Sequence, residues 1–208
     1  MRVLWVHATA VEVSAVRWGH AEHLQVGVGK SSAAYELGAA LVADAVDLVV
    51  AVGVAGLHRG ADTRLAVGAI AIVSSERFAD EGVATPSGFL DLTELGLGAS
   101  TPMSADVAWL EDAVGYVVAP LLAGATVSTC SGTDALADER WRRTQAPLET
   151  MEGAAIAMVC QRMGVPWIGV RAISNFTGDR DRGQWDLGGA VSALGEAITP
   201  LVEQWSRR

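Results

Sequence analysis

Three side chains stand out because their surroundings are apolar and their chemistry is not. Glu12 breaks the run TAVEVSAVRW (9–18), Glu152 follows Met151 in ETMEGAAIAMVC (149–160), and Asn175 closes VRAISN (170–175). A lone carboxylate in such a place can serve as a general base if it stands within about 3 Å of the proton it takes. A carboxylate can also accept two hydrogen bonds at once, which suits a pair of neighbouring hydroxyls. Asn presents a donor and an acceptor side by side and has no proton to give as an acid. Each residue also has a plainer reading. Glu12 would be a surface glutamate after a strand, and Glu152 a solvated glutamate favoured by a helix N-terminus. Met151 would be a core residue, and Asn175 a strand-end cap.

The stretch QVGVGKSS (25–32) looks like the tail of a phosphate-binding loop. That pattern needs a Gly five residues before Gly29, and position 24 is Leu. Lys30 is the only lysine, so no Asn-Lys-x-Asp base reader exists either. A tight strand-to-helix turn is the better reading. His7, His20, His23 and His58 show no ligand spacing with Cys or carboxylates, so no metal or other cofactor is expected.

The elements that would position these residues alternate. Apolar strand-like runs fall at 2–8, 24–29, 47–56, 67–79, 125–132 and 165–175. Helical segments fall at 31–46, with Ser31 or Ser32 as N-cap, near 105–122, and at 149–164 and 191–205. Residues 85–101, rich in Gly, Pro, Ser and Thr, read as loop. Continuous apolar strands separated by helices predict a mixed, largely parallel sheet covered on both faces, an α/β fold. Ligands in such sheets bind beyond the strand ends. Glu12, the segment at Val54, Ser75–Arg77, Ser131–Asp134 and Ser174–Asn175 all fall at predicted ends.

The 208 residues predict one domain, 1–208. A net charge of −9 argues against nucleic acid, whose phosphates call for clustered Lys and Arg. The longest apolar region, 37–57, is cut by Asp44 and Asp47 and is no membrane span. The start of the chain does not read as a secretory signal. Cys130 and Cys160 form no disulfide framework, read as buried hydrophobes, and fit a reducing cytoplasm.

Taken in order, VGVGK, VGVAG, VSSE, TMEGAAIAMVC and GVPWIGVRAIS resemble the purine nucleoside phosphorylase/nucleosidase family from end to end. The similarity is greatest to its hydrolytic branch. The segment RAISNFTGDRDRGQW is most similar to that of the futalosine hydrolases. The main departure is a short region between Val13 and Gly27, where a strand hairpin is trimmed.

The resemblance implies cleavage of a nucleoside's N-glycosidic bond by a homo-oligomer, at least a dimer. It assigns Glu152 to the ribose 2′- and 3′-hydroxyls, Met151 to the sugar face, and Glu12 to the attacking water. Arg171 and Ser174 join the substrate-binding set. The position that supplies a phosphate-binding hydroxyl in the family is Val54 here, and Glu12 would repel phosphate, so water is the expected nucleophile. Relatives that cleave adenine carry Asp where Asn175 stands. Asn gives its NH₂ to O6 and its carbonyl to a protonated N7, which matches a 6-oxopurine. Arg77, Arg180 or Arg182 would meet a carboxylate beyond the ribose 5′ carbon. A purine nucleoside phosphorylase, a methylthioadenosine/S-adenosylhomocysteine-type nucleosidase and a non-catalytic nucleoside-binding module remain as alternatives.

Overall fold

An unbroken apolar run makes a good strand only where both faces are covered. The two longest strands, β3 (Leu48–Leu57) and β10 (Trp167–Phe176), are buried almost end to end. The computed structural model describes residues 1–61, 64–98, 101–179, 183 and 185–208. In it β1 (Val3–His7) lies parallel to β3 and, on its other edge, to β2 (Glu22–Gln25). β3 runs parallel to β10, and β10 runs antiparallel to β4 (Ile70–Phe78). β4 continues in parallel to β8 (Leu121–Thr126) and β8 to β9 (Leu148–Thr150). β9 returns antiparallel to the end of β3. Strands β3, β10, β4, β8 and β9 thus close a ring, and β1 and β2 extend from it. The mixed, largely parallel sheet is as expected.

Five helices among the described residues surround it: α1 (Lys30–Ala43), α2 (Val107–Val114), α3 (Asp134–Thr144), α4 (Gly153–Met163) and α5 (Leu187–Trp205). One large apolar cluster joins the sheet to α1, α4 and α5. Trp5 anchors its β1 side, with Trp18 at 6.0 Å and Trp205 of α5 at 5.8 Å between ring centroids. No described helix is long and apolar enough to cross a membrane.

Several boundaries differ from expectation for identifiable reasons. The expected loop at 85–101 begins instead inside a hairpin of β5 (Gly82–Thr85) and β6 (Gly88–Asp91), and β7 (Met103–Ser104) adds to β4. α2 starts where the Asp106 side chain accepts from Trp109 N–H and ends at Gly115, well short of residue 122. The strand expected at 125–132 is β8, which starts four residues earlier and ends six earlier. Residues 149–164 divide into β9 and α4, because Glu149 and Leu148 pair with β3 before the helix begins. Gly29, not Ser31 or Ser32, is the N-cap of α1, and Ser32 Oγ donates to the Val26 carbonyl at 2.8 Å. The strand expected at 47–56 is β3, and Val54 lies inside it. α3 has no counterpart in the sequence reading. Cys160 is buried, which pushes its thiol up to about 12, whereas Cys130 is exposed.

Candidate active site

The chain leaves β1 at His7 and turns at once. Thr9 N–H and Thr9 Oγ–H both donate to Glu12 Oε2, at 2.9 and 3.2 Å, and Glu12 N–H returns to Thr9 Oγ1 at 3.4 Å. Such reciprocal bonds lock a side chain in a tight turn. The other oxygen, Oε1, accepts from Val54 N–H of β3 at 3.3 Å. Arg171 projects from the neighbouring strand β10. A Cβ on Gly53 would stand 2.6 Å from Arg171 Nη1 and 2.9 Å from Glu12 Oε1, so glycine leaves the room both groups occupy. Arg171 is buried, and its Nε has no hydrogen-bond partner among the described residues. A half-buried carboxylate and a buried guanidinium therefore converge over one glycine.

Glu152, the N-cap of α4, is also buried, and its Oε1 accepts from Gly29 N–H at 2.7 Å. This is the amide that a phosphate-binding loop would offer to its ligand. Lys30 turns away to Asp80 and Glu81, at 2.7 and 3.2 Å. Burial raises the Glu152 carboxyl above its ordinary range, the Glu12 charge adds to the rise, and Gly29 N–H and Arg171 oppose it.

Glu76 of β4, quoted in the sequence motifs but given no role there, lies beneath the start of α4. Ala154 N–H donates to Thr126 Oγ1 at 2.7 Å, so the Thr126 hydroxyl hydrogen is available to Glu76 Oε2 at 2.9 Å. Gly124 and Gly153 flank the carboxylate with no room for a Cβ. Burial pushes Glu76 up to about 7; Arg171 and the threonine hydroxyls oppose this, and Glu152 reinforces it. The unfolded carboxyl titrates near 4.5. Between these values the unfolded chain has released the proton and the folded chain has kept it. Stability therefore falls as pH rises through that window, by up to about 3 kcal/mol, and levels off above it. Thermal melts from pH 4.5 to 8 should show this slope in the wild type and a clearly shallower one in Glu76→Gln, where only the Glu152 carboxyl still contributes. Equal slopes would contradict the account.

A cavity of about 180 Å³ has Gly56, Ser131, Glu149, Met151, Asn175 and Trp185 in its lining, Met151 being the residue before Glu152. A larger cleft of about 450 Å³, lined by Asp106, Gln161 and Trp167 among others, contains none of the candidate residues. In the smaller cavity the Asn175 amide has a defined orientation. Its Nδ2 donates to the Phe176 carbonyl at 3.0 Å, and its Oδ1 accepts from Ser174 Oγ at 2.8 Å. A backbone carbonyl only accepts, so the nitrogen must face it. One N–H and one lone pair remain. The opposite wall is held by a buried network in which Ser131 N–H donates to Glu149 Oε1 at 2.8 Å. Arg140 Nη1 reaches Ser131 Oγ at 2.9 Å and Glu149 Oε2 at 3.2 Å.

The structure thus brings Glu12, Arg171 and Glu152 together and places Met151 and Asn175 on the adjoining cavity, with Ser174 behind Asn175. Arg77 donates to the Thr144 carbonyl at the end of α3, at 3.1 Å, and Arg180 and Arg182 lie outside the described residues. The sequence reading gave no role to Gly29, Glu76, Ser131, Arg140, Glu149 or Trp185. Among the described residues no group of three or more His, Cys, Asp and Glu could hold a metal ion.

The α/β sheet closes into a ring and carries a carboxylate, a guanidinium and a fixed amide, and comparison places the fold. The chain belongs to the phosphorylase superfamily, whose profile matches residues 6–203. Within it, the chain is 37% identical over 191 residues to a futalosine hydrolase of Acidothermus cellulolyticus, an alignment covering 89% of this chain and 76% of that one. It is 36% identical over 164 residues to a futalosine hydrolase of Streptomyces coelicolor, covering 76% and 68%. The native structure of the futalosine hydrolase of Helicobacter pylori strain 26695 shares the fold, with a TM-score of 0.80 at 16% identity over 98% of each chain.

Proposed function

We propose that this protein is an N-glycosyl hydrolase that cleaves futalosine to hypoxanthine and dehypoxanthine futalosine, a step of menaquinone biosynthesis. The observation that carries this reading is the fixed Asn175 amide beside the convergence of Glu12 and Arg171 over Gly53. Glu152 Oε1 is tied to Gly29 N–H, so the carboxylate is held in place to accept from the ribose hydroxyls without having to be ordered first. Met151, half-buried at the cavity, packs on the sugar face, where a polarizable thioether tolerates a flattened, cationic ring.

Cleavage follows an oxocarbenium-like course. The attacking water sits between Glu12 and Arg171, and Glu12 takes its proton as the C1′–O bond forms. Val54 lacks the family's hydroxyl, yet its N–H holds Glu12 Oε1 in place, and Arg171 supplies the donor toward the water. As the C1′–N9 bond breaks, charge flows to the purine. Asn175 Nδ2 donates to O6 and Oδ1 accepts from N7–H, the N7 proton coming from solvent. Ser174 serves the base through Asn175, whose Oδ1 it fixes. The family resemblance also supports a homo-oligomer, at least a dimer, working in the cytoplasm.

Incubation with futalosine and with inosine, each with and without phosphate, tests this reading. Hypoxanthine should appear from futalosine at the same rate in both buffers. Dependence on phosphate would indicate a phosphorylase, and tight binding without product a non-catalytic module.

A further inference from the structure

We propose that His7 is a positioning residue for Glu12, acting through the Thr9 backbone and itself oriented by His23. The inference rests on the reading of Glu12 as the base that activates water. His7 ends β1, one residue before the turn that carries Glu12 begins, and its side chain is buried. Its Nδ1 lies 3.1 Å from the Thr9 carbonyl and its Nε2 lies 3.3 Å from His23 Nδ1. The carbonyl can only accept, so Nδ1 carries a hydrogen. Burial lowers the His7 pKa, which favours the neutral ring, and neutral His7 then has a bare Nε2 that accepts from His23 Nδ1–H.

Each bond in this chain has a direction: His23 donates to His7, His7 to the Thr9 carbonyl, and Thr9 through both its N–H and its hydroxyl to Glu12 Oε2. Trp18 lies flat against His23, centroids 4.6 Å apart and planes 16° from parallel, and faces His7 at 6.2 Å and 25°. Two imidazoles stacked on an indole leave the His7 ring little freedom to turn. A buried polar ring is costly unless its nitrogens are bonded, and an apolar side chain would fill this space more cheaply. What the imidazole adds is a fixed donor to the residue that aims the Glu12 carboxylate. A base displaced by about 1 Å loses on the order of 10²-fold in rate, so a donor that fixes Thr9 bears directly on turnover.

Kinetics of His7→Leu, His7→Asn and His7→Leu combined with Glu12→Gln test the proposal. His7→Leu should lower kcat about 10- to 100-fold with KM changed less than about threefold. His7→Asn, whose amide can donate from nearly the place of Nδ1, should recover most of that loss. On the Glu12→Gln background His7→Leu should cost little further, because the group it positions is already gone. Wild-type kcat in His7→Leu, an Asn variant as impaired as the Leu variant while melting like the wild type, or a full additional loss on Glu12→Gln would each overturn the proposal. If His7→Leu does not fold, exposed His23 carries the same comparison. His23→Leu should lower kcat about threefold and His23→Gln restore it, and an unchanged kcat in His23→Leu would overturn the orienting role. Wild-type turnover in Glu12→Gln would instead remove the reading of Glu12 on which this inference stands.

Discussion

Glu12→Gln is expected to lower kcat by roughly 10²–10⁴, the usual share of a positioned general base, while the nucleoside still binds. The geometry explains why an isosteric amide cannot substitute. Oε2 takes two hydrogens from Thr9 and Oε1 takes one from Val54 N–H, so every neighbour of the carboxylate is a donor. Whichever way a Gln amide is turned, its NH₂ meets a donor and one group stays unpaired, at a cost of about 1–3 kcal/mol. The variant should therefore lose proton abstraction outright and melt somewhat earlier as the turn loosens. Steady-state kinetics together with equilibrium binding of the substrate check both parts. Near wild-type turnover would exclude Glu12 as the base.

Asn175→Asp is expected to reverse the choice of base. In the wild type, a 6-amino purine would bring its own donor against the free Asn175 N–H, leaving one polar group unsatisfied at about 1–3 kcal/mol, roughly 5- to 150-fold in specificity. The substitution places a carboxyl oxygen where Nδ2 now donates to the Phe176 carbonyl. An ionised carboxylate there would face that carbonyl and repel O6. A protonated one satisfies the carbonyl or gives its proton to N7, and accepts from a 6-amino group. The variant should lose activity on futalosine and gain relative activity on the 6-amino counterpart, most clearly toward acid pH. Competition between the two substrates measures the swing. An unchanged preference in Asn175→Asp, or equal cleavage of both by the wild type, would leave Asn175 a strand-end residue.

Much of the site was legible because its parts are local. Met151–Glu152 and Ser174–Asn175 are adjacent pairs, the first inside a quoted motif and the second at the end of a strand that announces itself by an unbroken apolar run. Glu12 stands out as a carboxylate in apolar sequence. What could not be read depends on contacts between distant residues. Glu76 is marked as a buried acid only by Gly124 and Gly153, 48 and 77 positions further on, which leave room for it. The Ser131–Arg140–Glu149 network joins three polar residues nine positions apart, a spacing that belongs to no helical or strand pattern, and the polar segment Asp134–Thr144 gives little apolar signal for a helix. Its start depends on the Thr133 side chain accepting from Leu136 N–H. The division of residues 148–163 into β9 and α4 is a tertiary effect. TMEGAAIAM carries helical preference throughout, and pairing of Leu148 and Glu149 with β3 overrides it at the front.

A turnover in ¹⁸O-labelled water with phosphate present tests most directly whether water displaces a 6-oxopurine from futalosine. Hypoxanthine is expected together with dehypoxanthine futalosine carrying ¹⁸O at C1′, in equal amounts and unaffected by phosphate. A phosphorylated sugar product, or futalosine left intact while an adenine nucleoside is cleaved, would contradict this.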